Sequence, residues 1–237
     1  MDFLELFSRP ETYVSLLTLT FLEIVLGIDN IIFISILTGK LQAQEREKAR
    51  VTGLSIALVF RILLLLAISW IAGLVEPLFT IFGLGFSGRD LILLGGGIFL
   101  LIKSTLEIHE KIEGEEEGSD KKGISKFWNI IIQIILLDLV FSLDSVITAV
   151  GLVKEVSVMI IAIVISMIIM ILFAGKVSDF IHKHPTIKML ALAFLLMIGL
   201  LLVVEAFHVH VPKGYIYFAM AFSFLVEMLN IKMRKKK

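Results

Sequence analysis

Seven runs of apolar residues follow one another along the chain, at residues 11–38, 51–74, 88–107, 127–152, 156–175, 187–206 and 214–230. At 1.5 Å per residue, the first six are long enough as α-helices to cross a hydrocarbon layer about 30 Å thick, and the seventh, 17 residues, stands at the short end of the lengths that span one. Helices suit that solvent because each run satisfies its own backbone hydrogen bonds. The first run is too long and too polar inside for a cleaved secretory segment. It also lacks a basic leader and a small-residue cleavage site, so it is expected to be retained. The pattern predicts an all-α, polytopic membrane protein with seven transmembrane helices.

Most connections between the runs are short. The exception is 108–126, which is charged, carries glycine at 114, 118 and 123, and has no apolar period. It reads as a solvated linker. Lys and Arg divide unevenly between alternate connections. Sixteen fall in 39–50, 108–126, 176–188 and the C-terminal tail, whereas the opposite set holds Arg9, Arg89, Lys154 and Lys213. Basic residues accumulate on the cytoplasmic side. The expected orientation in the cell membrane is therefore N-terminus outside and C-terminus in the cytoplasm, with the final KMRKKK against anionic headgroups.

Composition narrows the function. Of 237 residues, 58% are hydrophobic and 19% charged, with 22 basic and 22 acidic side chains and no cysteine. A soluble enzyme is excluded on this reading, and zero net charge argues against a nucleic-acid partner. Without cysteine there are no disulfides, thiolate metal sites or thiol nucleophiles.

Two of the runs carry acids where lipid penalises them. The first contains Glu23, Asp29 and Asn30 in EIVLGIDN, and the fourth Asp138, Asp144 and Ser145 in DLVFSLDS. The order is the same in both: acid, five residues, Asp, then a small polar side chain. A buried carboxylate costs several kcal/mol in a bilayer unless it faces a partner or a wet cavity. A duplicated set of four argues for function over helix glue. Residues seven apart share a helix face, so Glu23 aligns with Asn30 and Asp138 with Ser145. Residues six apart are rotated by about 120°. To bring Asp29 and Asp144 into the same site, the helices are expected to unwind near 27–29 and 142–144, where Gly27 and Ser142 lie; intact helices with differently directed aspartates are the alternative.

The repeat extends beyond the acids. Each acidic run is followed by an apolar run and then by one ending in an acid and a histidine, Glu107 with His109 and Glu205 with His208. Three helices used twice must be inserted the second time upside down, the common plan of secondary transporters. The expected organisation is a first three-helix repeat at 1–110, a cytoplasmic linker at 111–126, an inverted repeat at 127–210, and a seventh helix with its basic tail at 211–237. Carboxylates, an amide, a hydroxyl and backbone carbonyls suit Mg²⁺, Ca²⁺ or Mn²⁺. The cation is then a substrate, not a resident cofactor, and surplus carboxylate charge can carry protons.

The segments LEIVLGIDN at 22–30 and LDLVFSLDSV at 137–146 resemble the two signature segments of the TerC family of integral membrane proteins. The likeness continues through GGGIFLLIKSTLEIHE at 95–110 and PKGYIYFAMAFS at 212–223. The resemblance implies metal-ion efflux, chiefly of Mn²⁺, with some members linked to supplying metal to exported proteins. It places the motif acids on Glu23, Asp29, Asp138 and Asp144, with Asn30 and Ser145 beside them. The expectation is a non-enzymatic exporter of divalent cations working by alternating access, with protons as counter-ions. The alternative is a non-transporting membrane partner that assists metal loading or insertion of exported metalloproteins.

Other polar residues are assigned secondary roles. Arg61 is expected to pair with a motif acid, either as charge compensation displaced by the cation or as a permanent ion pair. Lys103 and Glu107 read as a snorkelling pair, with a cytoplasmic gate as the alternative. Glu205, His208 and His210 read as interfacial residues, with an exit site for metal as the alternative. Met159, Met167 and Met170 read as ordinary apolar side chains.

Overall fold

A computed structural model describes residues 8–67, 76–81, 83–113, 123–153 and 155–234. Seven helices long and apolar enough to span a membrane are present. In chain order they are α1 Pro10–Gly39, α2 Ala43–Leu66, α3 Gly88–Glu113, α4 Gly123–Leu152, α5 Val156–Lys183, α6 Pro185–Ala206 and α7 Lys213–Arg234. Between α2 and α3 lies a hairpin of β1 Pro77–Ile81 and β2 Leu84–Ser87.

Local chemistry sets several of these bounds. Proline occupies the first turn of α1 and of α6, where its missing N–H costs nothing and its fixed φ suits a helix. The last turn of α1 closes with the Lys40 N–H donating to the Leu37 carbonyl and the Leu41 N–H to that of Thr38. α2 begins eight residues before its apolar run, because AQEREKAR is built of good helix formers. Hydropathy locates the span but not the charged turn that extends it. α3 likewise runs to Glu113 and α4 starts at Gly123, so helix enters both ends of the expected linker. The linker centre, 114–122, lies outside the described residues.

The hairpin is the element that the apolar pattern did not predict. β1 and β2 pair antiparallel, Gly83 takes φ 80° at the turn, and Phe79 stacks on Phe86 at 5.8 Å. Strands this short are marked more by their turn than by alternation.

The chain forms two compact units. One takes residues 1–74 and 121–178, and so contains α1, α2, α4 and most of α5. Here α4 packs on both α1 and α2. It meets α2 at Gly53, where an added Cβ would lie 3.0 Å from the Ile134 side chain. The second unit takes 75–120 and 179–237, with the hairpin, α3, α6 and α7. Within it α3 and α6 meet at Gly97 and Gly199. A Cβ on Gly97 would sit 2.7 Å from the Gly199 carbonyl oxygen, and one on Gly199 would sit 3.0 Å from that of Gly97. Small residues permit this backbone-to-backbone approach where lipid supplies no hydrophobic drive between helices. In terms of the repeats expected from the sequence, the first two helices of each fall in one unit and the third of each in the other.

The expected unwinding is overturned. α1 and α4 are helical without interruption through 27–29 and 142–144. Gly27 serves a close contact with the Met170 side chain, and the Ser142 hydroxyl serves Asp138, so neither opens the helix. At Asp29 and Asp144 the helical backbone is described, and their side chains lie outside the described residues.

Candidate cation site

Three charged side chains of the first unit converge although each stands on a different helix. Arg61, in the last turns of α2, donates through Nη1 to Glu23 Oε2 of α1 at 2.6 Å and through Nη2 to Asp138 Oδ1 of α4 at 2.8 Å. All three are at most 4% exposed. With both carboxylates ionised, the trio carries one net negative charge. Such burial is unfavourable unless each ion is paired and hydrogen-bonded, and here the pairing is direct. It is also incomplete, since Arg61 Nε is buried without an acceptor among the described residues.

The neutral polar residues follow the helix period. On α1, Asn30 lies two turns beyond Glu23, and its Nδ2 donates to Asp138 Oδ1 at 3.1 Å. On α4, Ser142 follows Asp138 by four residues and donates to its Oδ2 at 3.1 Å. Ser145, seven beyond Asp138, donates to the Ser142 carbonyl at 3.3 Å and lies within hydrogen-bonding reach of Glu23. The stripe at i, i+4 and i+7 therefore reads Glu23, Gly27, Asn30 on α1 and Asp138, Ser142, Ser145 on α4. The two stripes face each other, with Arg61 bridging them. Carboxylate, amide and hydroxyl oxygens in such a cluster are hard donors for a divalent cation. Among the described residues no three acids and imidazoles come together, so neutral groups must complete any coordination shell there.

The remaining sequence candidates lie in the second unit. Glu107 is buried on α3 in the stripe that also holds Leu100 and Ser104. Lys103 flanks that stripe and is half-buried. Glu205 of α6 is also buried, and its Oε2 has no hydrogen-bond partner among the described residues. His208 follows at the end of α6, and its imidazole is bonded. Its Nε2 lies 3.1 Å from Asp90 Oδ2 at the start of α3.

Asp90 was not singled out from the sequence. It caps α3 reciprocally with Ser87: the Ser87 N–H donates to Asp90 Oδ2 at 2.9 Å and the Asp90 N–H to Ser87 Oγ at 3.2 Å. The signal was the Ser–x–x–acid spacing before an apolar run. His208 closes α6 in the left-handed region at φ 62°, with the Val209 N–H reaching the Val204 carbonyl and the His208 N–H that of Glu205. A non-glycine residue there costs about 1–2 kcal/mol, which the imidazole–carboxylate bond helps to offset.

Comparison with known proteins agrees with this architecture. Residues 8–237 match the integral membrane protein TerC family. A UPF0053 protein of Haemophilus influenzae is 53% identical over 232 residues, 98% of each chain. The UPF0053 inner membrane protein YgdQ of Escherichia coli K12 is 54% identical over 229 residues, covering 97% of this chain and 96% of the relative. Another, YoaE of the same strain, is 52% identical over 228 residues, which is 96% of this chain but 44% of that longer protein. No solved structure matches the chain. With nearly its whole length matched and its paired acidic segments in place, the chain belongs to the TerC family of integral membrane proteins.

Proposed function

We propose that the chain is a transporter, not an enzyme, and exports divalent cations, Mn²⁺ foremost, by alternating access with protons as counter-ions. The observation that carries this reading is the buried convergence of Glu23 and Asp138 on Arg61. In the absence of cargo the guanidinium holds two carboxylates that would otherwise repel, and so keeps the site assembled. A divalent cation competes for the same oxygens with twice the charge. As it enters, Arg61 is released, and its unsatisfied Nε–H marks it as an occupant whose hydrogen bonding is not complete. Asn30, Ser142 and Ser145 then supply neutral oxygens without changing the charge.

Asp29 and Asp144 belong to the same proposal as outlying acids. With the N-terminus outside, α1 runs inward and places Asp29 on the cytoplasmic side of Glu23. α4 runs outward and places Asp144 on the external side of Asp138. They would serve loading and release at opposite exits. Because metal ligands must be deprotonated to bind, cation binding should release protons, and affinity should weaken as pH falls. Binding to the purified protein that is unchanged between mildly acidic and neutral pH would contradict the proton coupling. Purified protein in empty liposomes tests the transport reading itself: an exporter moves Mn²⁺ alone, whereas a partner protein for exported metalloproteins requires its client.

A further inference from the structure

The stripe comparison leaves one position unequal. Where α4 has Ser142, with its hydroxyl on Asp138, α1 has Gly27, which contributes no side chain. That gap is filled from α5. A Cβ added at Gly27 would run into Met170 Sδ, with Met170 Cε 3.2 Å away, so the thioether lies directly on the α1 backbone. Met170 is 1% exposed. Gly27 stands one turn beyond Glu23 and less than one turn before Asn30, and all three fall within an arc of about 60° on a 3.6-residue helix. Side chains tilt toward the helix N-terminus, so the Asn30 amide reaches back to the level of Gly27. The sulfur therefore lies on the α1 face that carries Glu23 and Asn30, one turn from the first and less than one turn from the second.

Resting on the cation-site reading above, we infer that Met170 is a specificity-determining residue whose thioether supplies a soft donor to the cation held by Glu23 and Asp138. Its chemistry decides which cations benefit. Carboxylates, amides and hydroxyls accept Ca²⁺, Mg²⁺ and Mn²⁺ alike, whereas a thioether favours softer transition-metal ions and gains little from alkaline-earth ions. One oxygen position in the α4 stripe thus corresponds to a sulfur beside α1, and the site discriminates against the abundant hard cations without any cysteine or histidine in its shell. Gly27 is the enabling residue, because any Cβ there displaces the sulfur.

The test is equilibrium binding of Mn²⁺, Cd²⁺, Ca²⁺ and Mg²⁺ to the purified full-length protein, with Cd²⁺ as the thiophilic probe. Met170→Leu conserves volume and removes the sulfur. It should lower the Mn²⁺/Ca²⁺ affinity ratio about tenfold, equivalent to about 1.4 kcal/mol, and reduce Cd²⁺ affinity further while Ca²⁺ affinity holds. Gly27→Ala, which keeps the methionine but pushes it off α1, should shift the ratio the same way. Cadmium X-ray absorption of the unsubstituted protein should show a sulfur scatterer that Met170→Leu abolishes, a signature that a packing role would not produce. An unchanged ratio in Met170→Leu, or a cadmium shell of oxygen alone, overturns the sulfur's role and leaves the carboxylate site standing. Absence of divalent-cation binding to the unsubstituted protein overturns the site and this inference together.

Discussion

Two helix pairs from corresponding places in the repeats are built on opposite principles. Where α1 meets α4, the contact is charged: Glu23, Asp138 and Arg61 are buried together, with Asn30 and two serines adding hydrogen bonds around them. Where α3 meets α6, the contact is Gly97 against Gly199, backbone on backbone. A buried ion cluster is weak evidence for stability, since well-packed apolar residues would often serve as well. Close glycine packing has a plain stabilising purpose. The contrast teaches that the first pair gives up stability for a chemical property and that the second supplies packing the first forgoes.

The largest expected effect breaks the charged pair. Arg61→Met strands two carboxylates in a buried space and should destabilise the protein by about 3–5 kcal/mol. Thermal unfolding in detergent micelles reads this. Combining it with Glu23→Gln and Asp138→Asn should recover most of the stability while leaving divalent-cation binding abolished. A triple variant as unstable as the single one would remove the contrast.

A smaller loss is expected at the glycine crossing. Gly97→Ala places a Cβ against the backbone of Gly199 and Val203, atoms that no rotamer change can move aside. The cost should be about 1–3 kcal/mol, measured the same way. The protein that remains folded should bind cations with unaltered affinity, which separates packing from chemistry.

Smallest are the effects at the ends of α3 and α6. Ser87→Ala removes one half of the reciprocal cap with Asp90 and should cost about 1 kcal/mol. His208→Gly relieves the left-handed backbone while losing the bond to Asp90, so the two should nearly cancel. A loss above about 2 kcal/mol for His208→Gly would mean that the imidazole bond outweighs the backbone cost.

How much of this was legible in the sequence depends on range. The seven spans were readable because burial in lipid demands runs of about twenty apolar residues. The stripes at i and i+7 were readable because helix geometry fixes them, and so was Arg61 as a buried cation in need of an acid. That one arginine would bridge both motif acids depends on how α1, α2 and α4 approach each other, which no spacing encodes. Gly27 was misjudged for the same reason. Glycine next to an acid reads as a point of unwinding until a methionine from α5, 143 positions away, is seen to need the space. The hairpin and the Asp90 cap depend on short-range turn chemistry that apolar runs overshadow.

The central claim is that Glu23 and Asp138 form a cation-carrying site occupied in turn by Arg61. Sided Mn²⁺ flux in proteoliposomes, comparing the unsubstituted protein with Glu23→Gln and Asp138→Asn variants shown to be folded, tests it most directly. The unsubstituted protein should carry Mn²⁺ with no client protein present, and either substitution should abolish flux from both sides. Full Mn²⁺ flux in both variants, or none in the unsubstituted protein, would contradict it.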